Sequence, residues 1–101
     1  MKEKDLVSKI KKRIKERGGL AIKYHGGMYS AAGVADVLIC HRGLFAAAEV
    51  KLPGRENTLT DLQEKFLSDV GTHGGMGSVV TSIEQIDELM DAVESRYNGR
   101  I

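Results

Sequence analysis

The chain has 101 residues, 42% of them hydrophobic and 29% charged, with 15 Lys or Arg against 14 Asp or Glu. That length fits one small domain, read here as a single unit over residues 1–101, with a modest core that a partner subunit would help to stabilise. No apolar stretch nears the ~20 residues of a membrane span, no signal-like apolar region follows the charged N-terminus, and the single Cys40 cannot form an internal disulfide, which excludes a membrane protein and a disulfide-stapled one and points to a reducing, intracellular (cytoplasmic) setting.

The near-neutral total hides an asymmetry. Residues 1–17 carry eight Lys or Arg against Glu3, Asp5 and Glu16, whereas residues 82–95 carry five acids and no base. A basic end can attract phosphates even on a neutral protein, and solvated helix faces are the plainer alternative.

In chain order, Leu6, Ile10 and Ile14 recur every four residues with Val7 beside them, which predicts an amphipathic helix over 4–17, stopped by Gly18-Gly19. Residues 20–25 alternate and predict a strand. A glycine-containing loop follows. Strands over 36–40 and 44–51 flank a His-Arg-Gly turn and form a hairpin. Cys40 reads as a small buried hydrophobe and His41 as a polar edge or loop residue. Pro53-Gly54 turns the chain. A helix then begins near Thr60 with Leu62, Phe66, Leu67 and Val70 on its inner face, and Gly71 and Gly74-Gly75 end it. Residues 77–81 predict a short strand. Ser82 caps the last helix, with Gln85 placed for a capping box. The order αβββαβα predicts an α/β fold with a four-stranded mixed sheet flanked by helices.

The hairpin holds the chemistry. Glu49 and Lys51 alternate along a strand and share a face, ~7 Å apart. Asp36 opens the paired strand, so the two carboxylates can converge at one end of the ladder. Two carboxylates together raise each other's pKa, and a divalent cation resolves the conflict. Such a set suits Mg²⁺, which takes few carboxylates and keeps water and phosphate as further ligands. The histidines His25, His41 and His73 are too scattered for a zinc pattern. Gly26-Gly27 lacks the Gly-Lys-Ser/Thr of a phosphate loop.

Asp36, Glu49-Val50-Lys51 and Gln63 together resemble the PD-(D/E)XK nuclease pattern, in the form of the virus-type replication-repair nuclease (VRR-NUC) domain. Gly33-Val34-Ala35-Asp36 before a strand, Ala48-Glu49-Val50-Lys51 ending one and Thr58-Leu59-Thr60-Asp61-Leu62-Gln63 opening a helix carry the resemblance. Ala35 departs from it, standing where the family often has Pro. The resemblance implies a restriction-endonuclease-like core and a Mg²⁺- or Mn²⁺-dependent endodeoxyribonuclease. Asp36 and Glu49 would hold the metal with the Val50 backbone carbonyl, and Glu16 on the first helix could add a further acidic ligand. For Glu16 a surface ion pair is the alternative. Lys51 would stabilise charge at the phosphoryl group or help to deprotonate water. Gln63 would position Lys51, the water or a phosphate, unless it serves only the capping box Thr60-x-x-Gln63. Lys11, Lys12, Lys15, Tyr29, Arg55 and Lys65 are candidate DNA contacts.

Stand-alone members of the resembled family dimerise and act on branched DNA. A chain this small offers little surface to wrap a duplex, and cutting two strands calls for two active sites. The expectation is therefore a homodimeric nuclease for branched DNA such as four-way (Holliday) junctions, with no nucleotide cofactor. A general duplex or nicking nuclease and a non-catalytic nucleic-acid-binding module are the alternatives.

Overall fold

The structure, a computed structural model, describes residues 1–26 and 31–99. Helix α1 (Glu3–Glu16) leads to β1 (Leu20–Lys23), β2 (Val37–His41) and β3 (Leu44–Val50). A short 3-10 turn (Glu56–Thr58), α2 (Asp61–Thr72), β4 (Met76–Val80) and α3 (Ile83–Gly99) complete the chain. The sheet order is β1-β2-β3-β4, antiparallel across the first two pairs and parallel between β3 and β4. A parallel return needs a long crossover, which α2 provides. The α/β fold with a four-stranded mixed sheet matches the sequence expectation.

The β2–β3 hairpin turns on two residues. Arg42 (φ 53°) and Gly43 (φ 79°) both take left-handed backbone, as a two-residue turn matched to strand twist requires. So short a turn fixes the register, Val37 opposite Ala48 and His41 opposite Leu44. Alternation then sorts the faces. Val37, Ile39, Ala46, Ala48 and Val50 pack with Leu6, Val7, Ile10 and Ile14 of α1 and Ile86, Met90 and Val93 of α3. Ala35 and Ala47 meet Val70 of α2 on the other face, with Leu38, Phe66 and Leu67.

Charge divides α1 in the same way. Arg13 and Arg17 face the acidic α3, where Arg13 Nε lies 2.8 Å from Asp87 Oδ1, and Arg17 reaches Asp91 at 2.6 Å and Glu94 at 3.0 Å. These guanidinium bonds, with Arg13 the main contributor, hold the Asp87 carboxyl below its ordinary range.

Several expectations are corrected. Cys40 is exposed, because its side chain projects to the α2 face near the β1 edge, where Leu20, Ile22 and Phe45 are exposed too. His41 is buried beneath α3, its Nε2 2.9 Å from Glu94 Oε2. Leu62 is exposed, so the inner face of α2 consists of Phe66, Leu67 and Val70. Helix α2 runs through Gly71 to Thr72 and is capped at His73, and the chain turns away at Gly74-Gly75, where the Gly75 N–H returns to the Val70 carbonyl. At α3, Ser82 Oγ accepts the Gln85 N–H, but the Gln85 side chain reaches back to the Thr81 N–H instead of closing the box on Ser82. Among the described residues no helix is long and apolar enough to cross a membrane.

Candidate active site

The β2–β3 ladder ends at Val37 and Ala48, and Asp36 extends it with its side chain. Asp36 Oδ2 accepts the Val50 N–H at 2.9 Å, the bond a further strand residue would otherwise make. In return the Asp36 N–H donates to Glu49 Oε2 at 3.2 Å. Asp36 is thus tied to two successive residues of β3. A strand residue directs its N–H and C=O to one edge, so the Val50 carbonyl faces the Asp36 side.

Glu49 is 3% exposed, between β2 and β4 in the sheet and under the start of α2. Burial, then the nearby charge of Asp36, pushes its carboxyl up to about 7, with Lys51 opposing. Lys51 Nζ lies 3.9 Å from Glu49 Oε1, and the Lys51 N–H is anchored on the Val80 carbonyl of β4 at 3.1 Å. The expected pairing of Glu49 and Lys51 on one face is present.

Gln63 has two roles at once. Its Oε1 accepts the Thr60 N–H at 2.9 Å while its N–H donates to Thr60 Oγ1 at 3.1 Å, a complete capping box. Its Nε2 donates to Glu49 Oε1 at 2.9 Å. An amide has an acceptor and a donor on opposite sides, so cap and site are compatible. Gly33 permits the approach. Its φ is +81°, and a Cβ there would lie 2.5 Å from the Leu62 carbonyl oxygen, so the loop before Asp36 packs directly on the backbone that opens α2.

One site residue escaped the sequence reading. Lys23 Nζ lies 3.1 Å from Asp36 Oδ1, and the next residue, Tyr24, donates its N–H to the Asp36 carbonyl at 2.8 Å. Alternation along β1 marked Lys23 as facing with Ala21, but the register between β1 and β2 spans a loop with no periodic signal.

The donor set fits a hard divalent cation. Ionised Asp36 and Glu49 offer four oxygens with about eight lone pairs. Four protein donors use one each: Val50 N–H, Asp36 N–H, Lys23 Nζ and Gln63 Nε2. Oxygen valence therefore remains beside the Val50 carbonyl, in the sparse, water-retaining pattern that Mg²⁺ prefers. Among the described residues no third Asp, Glu, His or Cys joins the pair to complete an all-protein cage.

The other sequence candidates are spread more widely. Glu16 is not brought to the cluster; half-exposed at the end of α1, it lies 3.7 Å from Arg13 Nη1. Lys11, Lys12 and Lys15 line depressions along α1, the first of which also includes Lys23. Arg55 is exposed in the segment joining Lys51 to α2. Lys65 pairs with Asp69 at 2.8 Å on the exposed face of α2. Tyr29 lies outside the described residues.

Neither a family model nor a curated protein sequence matches the chain. Among solved structures, a VRR_NUC domain is similar to it, with a TM-score of 0.67 and 31% identity over 88% of this chain and 94% of that one. With its four-stranded mixed sheet, its Asp36–Glu49–Lys51 cluster and this likeness over nearly the whole length, the chain belongs to the VRR-NUC family of nuclease domains.

Proposed function

We propose that residues 1–101 form a minimal Mg²⁺- or Mn²⁺-dependent DNA endonuclease that hydrolyses phosphodiester bonds, acting as a homodimer on branched DNA such as four-way junctions. One observation carries the reading: Asp36, Glu49, Lys51 and Gln63 meet at the strand ends of a VRR-NUC fold, within 2.9–3.9 Å contacts centred on Glu49.

Asp36, Glu49 and the Val50 carbonyl would hold the cation. When bound, it supplies a hydroxide-like nucleophile at neutral pH and offsets charge on the phosphoryl group. Lys51 places a largely buried ammonium where negative charge develops, and low local dielectric strengthens that interaction. Gln63 holds the Glu49 carboxylate in orientation, and Asp36 is itself fixed by the Val50 N–H. Preorganised groups of this kind need no rearrangement as the reaction proceeds. No side chain is required to form a covalent intermediate.

Support for the homodimer comes from the sheet face that α2 leaves uncovered. Leu20 (60% exposed), Ile22 (55%) and Phe45 (43%) lie together there with Leu38 and Cys40. A second copy covering this face by two-fold symmetry would present two sites, one per strand.

Cleavage of linear, flap, splayed and four-way DNA with Mg²⁺, Mn²⁺ or EDTA tests the whole reading. The expected result is metal-dependent cutting, fastest on branched forms, by a species that light scattering reports as a dimer. Cutting undiminished in EDTA overturns the metal role. Equal cutting of linear and four-way DNA by a monomer overturns the junction reading but leaves a general duplex nuclease. No cutting under any condition overturns the nuclease reading.

A further inference from the structure

Helical spacing splits the cations of α1 into two groups. Arg13 and Arg17 are held by α3, as described. Lys4, Ser8, Lys11 and Lys15 recur every three or four residues and share a different face. Between that face and the end of β1 lies a depression of about 290 Å³ lined by Lys4, Val7, Ser8, Lys11, Lys23 and His25. A second depression, lined by Ser8, Lys11, Lys12 and Lys15, shares Ser8 and Lys11 with the first, so the two lie side by side along the helix. Among the described residues that line them, none is acidic. At the inner end, Lys23 places its ammonium 3.1 Å from Asp36 Oδ1.

We propose that this track is a groove for the phosphodiester backbone of a single strand, running from Lys15 along α1 to Lys23 and delivering the strand to Asp36. The proposal rests on the nuclease reading and adds to it the path of the substrate. A lysine ammonium has three donors. Lys23 can therefore keep Asp36 and still bond a phosphoryl oxygen, joining the binding groove to the reacting centre. Lys4 and Lys15 are ~16 Å apart along the helix axis at ~1.5 Å per residue. Every nucleotide of a strand carries one charge, so a track of that length meets several successive phosphates of one strand. The lysines thus sample one strand. Ser8 lies between them, its hydroxyl donating to the Lys4 carbonyl at 3.1 Å. An extended anion with regular charge spacing suits this line of cations better than a compact phosphate does.

The test measures binding apart from cleavage. Anisotropy of labelled duplex and four-way DNA in EDTA, across a salt series, is compared for the wild type, Lys4→Ala/Lys11→Ala and Lys9→Ala. Lys9 lies on the opposite side of α1 and is the control. Loss of two phosphate contacts should reduce the log–log salt slope by about 1.8 units, so that between about 50 and about 200 mM salt the wild type loses about tenfold more affinity than the double variant. Lys9→Ala should leave the slope unchanged. Lys23→Gln, which keeps a donor for Asp36 but loses the charge, should raise KM for cleavage more than it lowers kcat, whereas a purely structural role would lower the melting temperature and leave KM alone. An unchanged slope in the double variant, or an equal change in Lys9→Ala, overturns the groove. If cutting persists in that case, the groove alone fails; if the wild type neither binds nor cuts DNA, the nuclease reading fails with it.

Discussion

Gln63 offers the sharpest separation of stability from chemistry, because one side chain serves both. Thr60→Ala removes the hydroxyl that accepts the Gln63 N–H and leaves the Gln63–Glu49 bond intact. It should cost about 1 kcal/mol, the usual value of a helix cap, or about 4–8 °C in melting temperature for a chain this size. Gln63→Glu does the reverse. Its carboxylate still accepts the Thr60 N–H, as Glu does in many capping boxes, and an acid in the first turn suits the helix dipole. But the donor to Glu49 becomes a second acceptor at the same 2.9 Å, facing a carboxyl that burial already pushes up to about 7. Losing a hydrogen bond to a charged group costs about 1.5–3 kcal/mol. A proton shared between the carboxyls relieves the repulsion, so the cost should be small near pH 5 and grow as pH rises above about 7. Gln63→Ala keeps the Thr60 Oγ1 cap but loses both side-chain bonds, to the Thr60 N–H and to Glu49, about 2–4.5 kcal/mol for one neutral and one charged hydrogen bond. In cleavage rate, Thr60→Ala should stay near wild type. Gln63→Glu should lose about 10²-fold, the penalty for displacing a reacting group by about an ångström. Thermal melts at two pH values and single-turnover cleavage measure both axes. Equal rates for Thr60→Ala and Gln63→Glu would refute the double role.

Three further outcomes follow from the geometry. Asp36→Asn and Glu49→Gln should each abolish cleavage while DNA binding persists, and Lys51→Ala should cost about 10²–10⁴ in rate; full activity of any of them in a quenched-flow or gel assay removes that residue from the site. The folded Glu49 carboxyl sits at about 7 against 4.5 when unfolded, so the native state holds the extra proton between these values. Its stabilising contribution is complete below 4.5 and is lost as pH rises through 7. The loss amounts to about 3 kcal/mol at ~1.4 kcal/mol per unit. Denaturant melts in chelator should show it, and an unflattened profile in Glu49→Gln would count against Glu49 as its source. Gly33→Ala must force a left-handed backbone and push Leu62 away, so it should lower stability by more than about 1 kcal/mol and cleavage with it; a wild-type melting temperature and rate would show that the loop does not seat α2.

What the sequence made legible was local. The Arg42-Gly43 turn is too short to allow a slip, so Asp36 and Glu49 had to converge once the hairpin was recognised, and alternation then put Lys51 beside Glu49. The capping box at Thr60 was legible for the same reason, since it involves residues three apart. What stayed hidden depended on contacts across the fold. Lys23 reaches Asp36 only because β1 pairs with β2 in one register, and the intervening loop has no hydrophobic period to set it. Leu62 continues the apolar spacing of α2, yet its backbone and Cβ are what press against Gly33, while the residue as a whole stays exposed. Cys40 and His41 are neighbours with opposite fates: parity directs His41 under α3 and Cys40 to the part of the sheet that α2 does not cover. Composition showed a basic first helix and an acidic last one, but not that they meet. Their contact explains the allocation of the cations. Arg13 and Arg17, whose guanidinium groups can bond several carboxylates at once, hold α1 to α3. Lys4, Lys11 and Lys15, point charges on flexible stems, occupy the face that leads to Asp36. The same helix can then serve stability through its arginines and substrate binding through its lysines, without either set of charges competing for the other's partners.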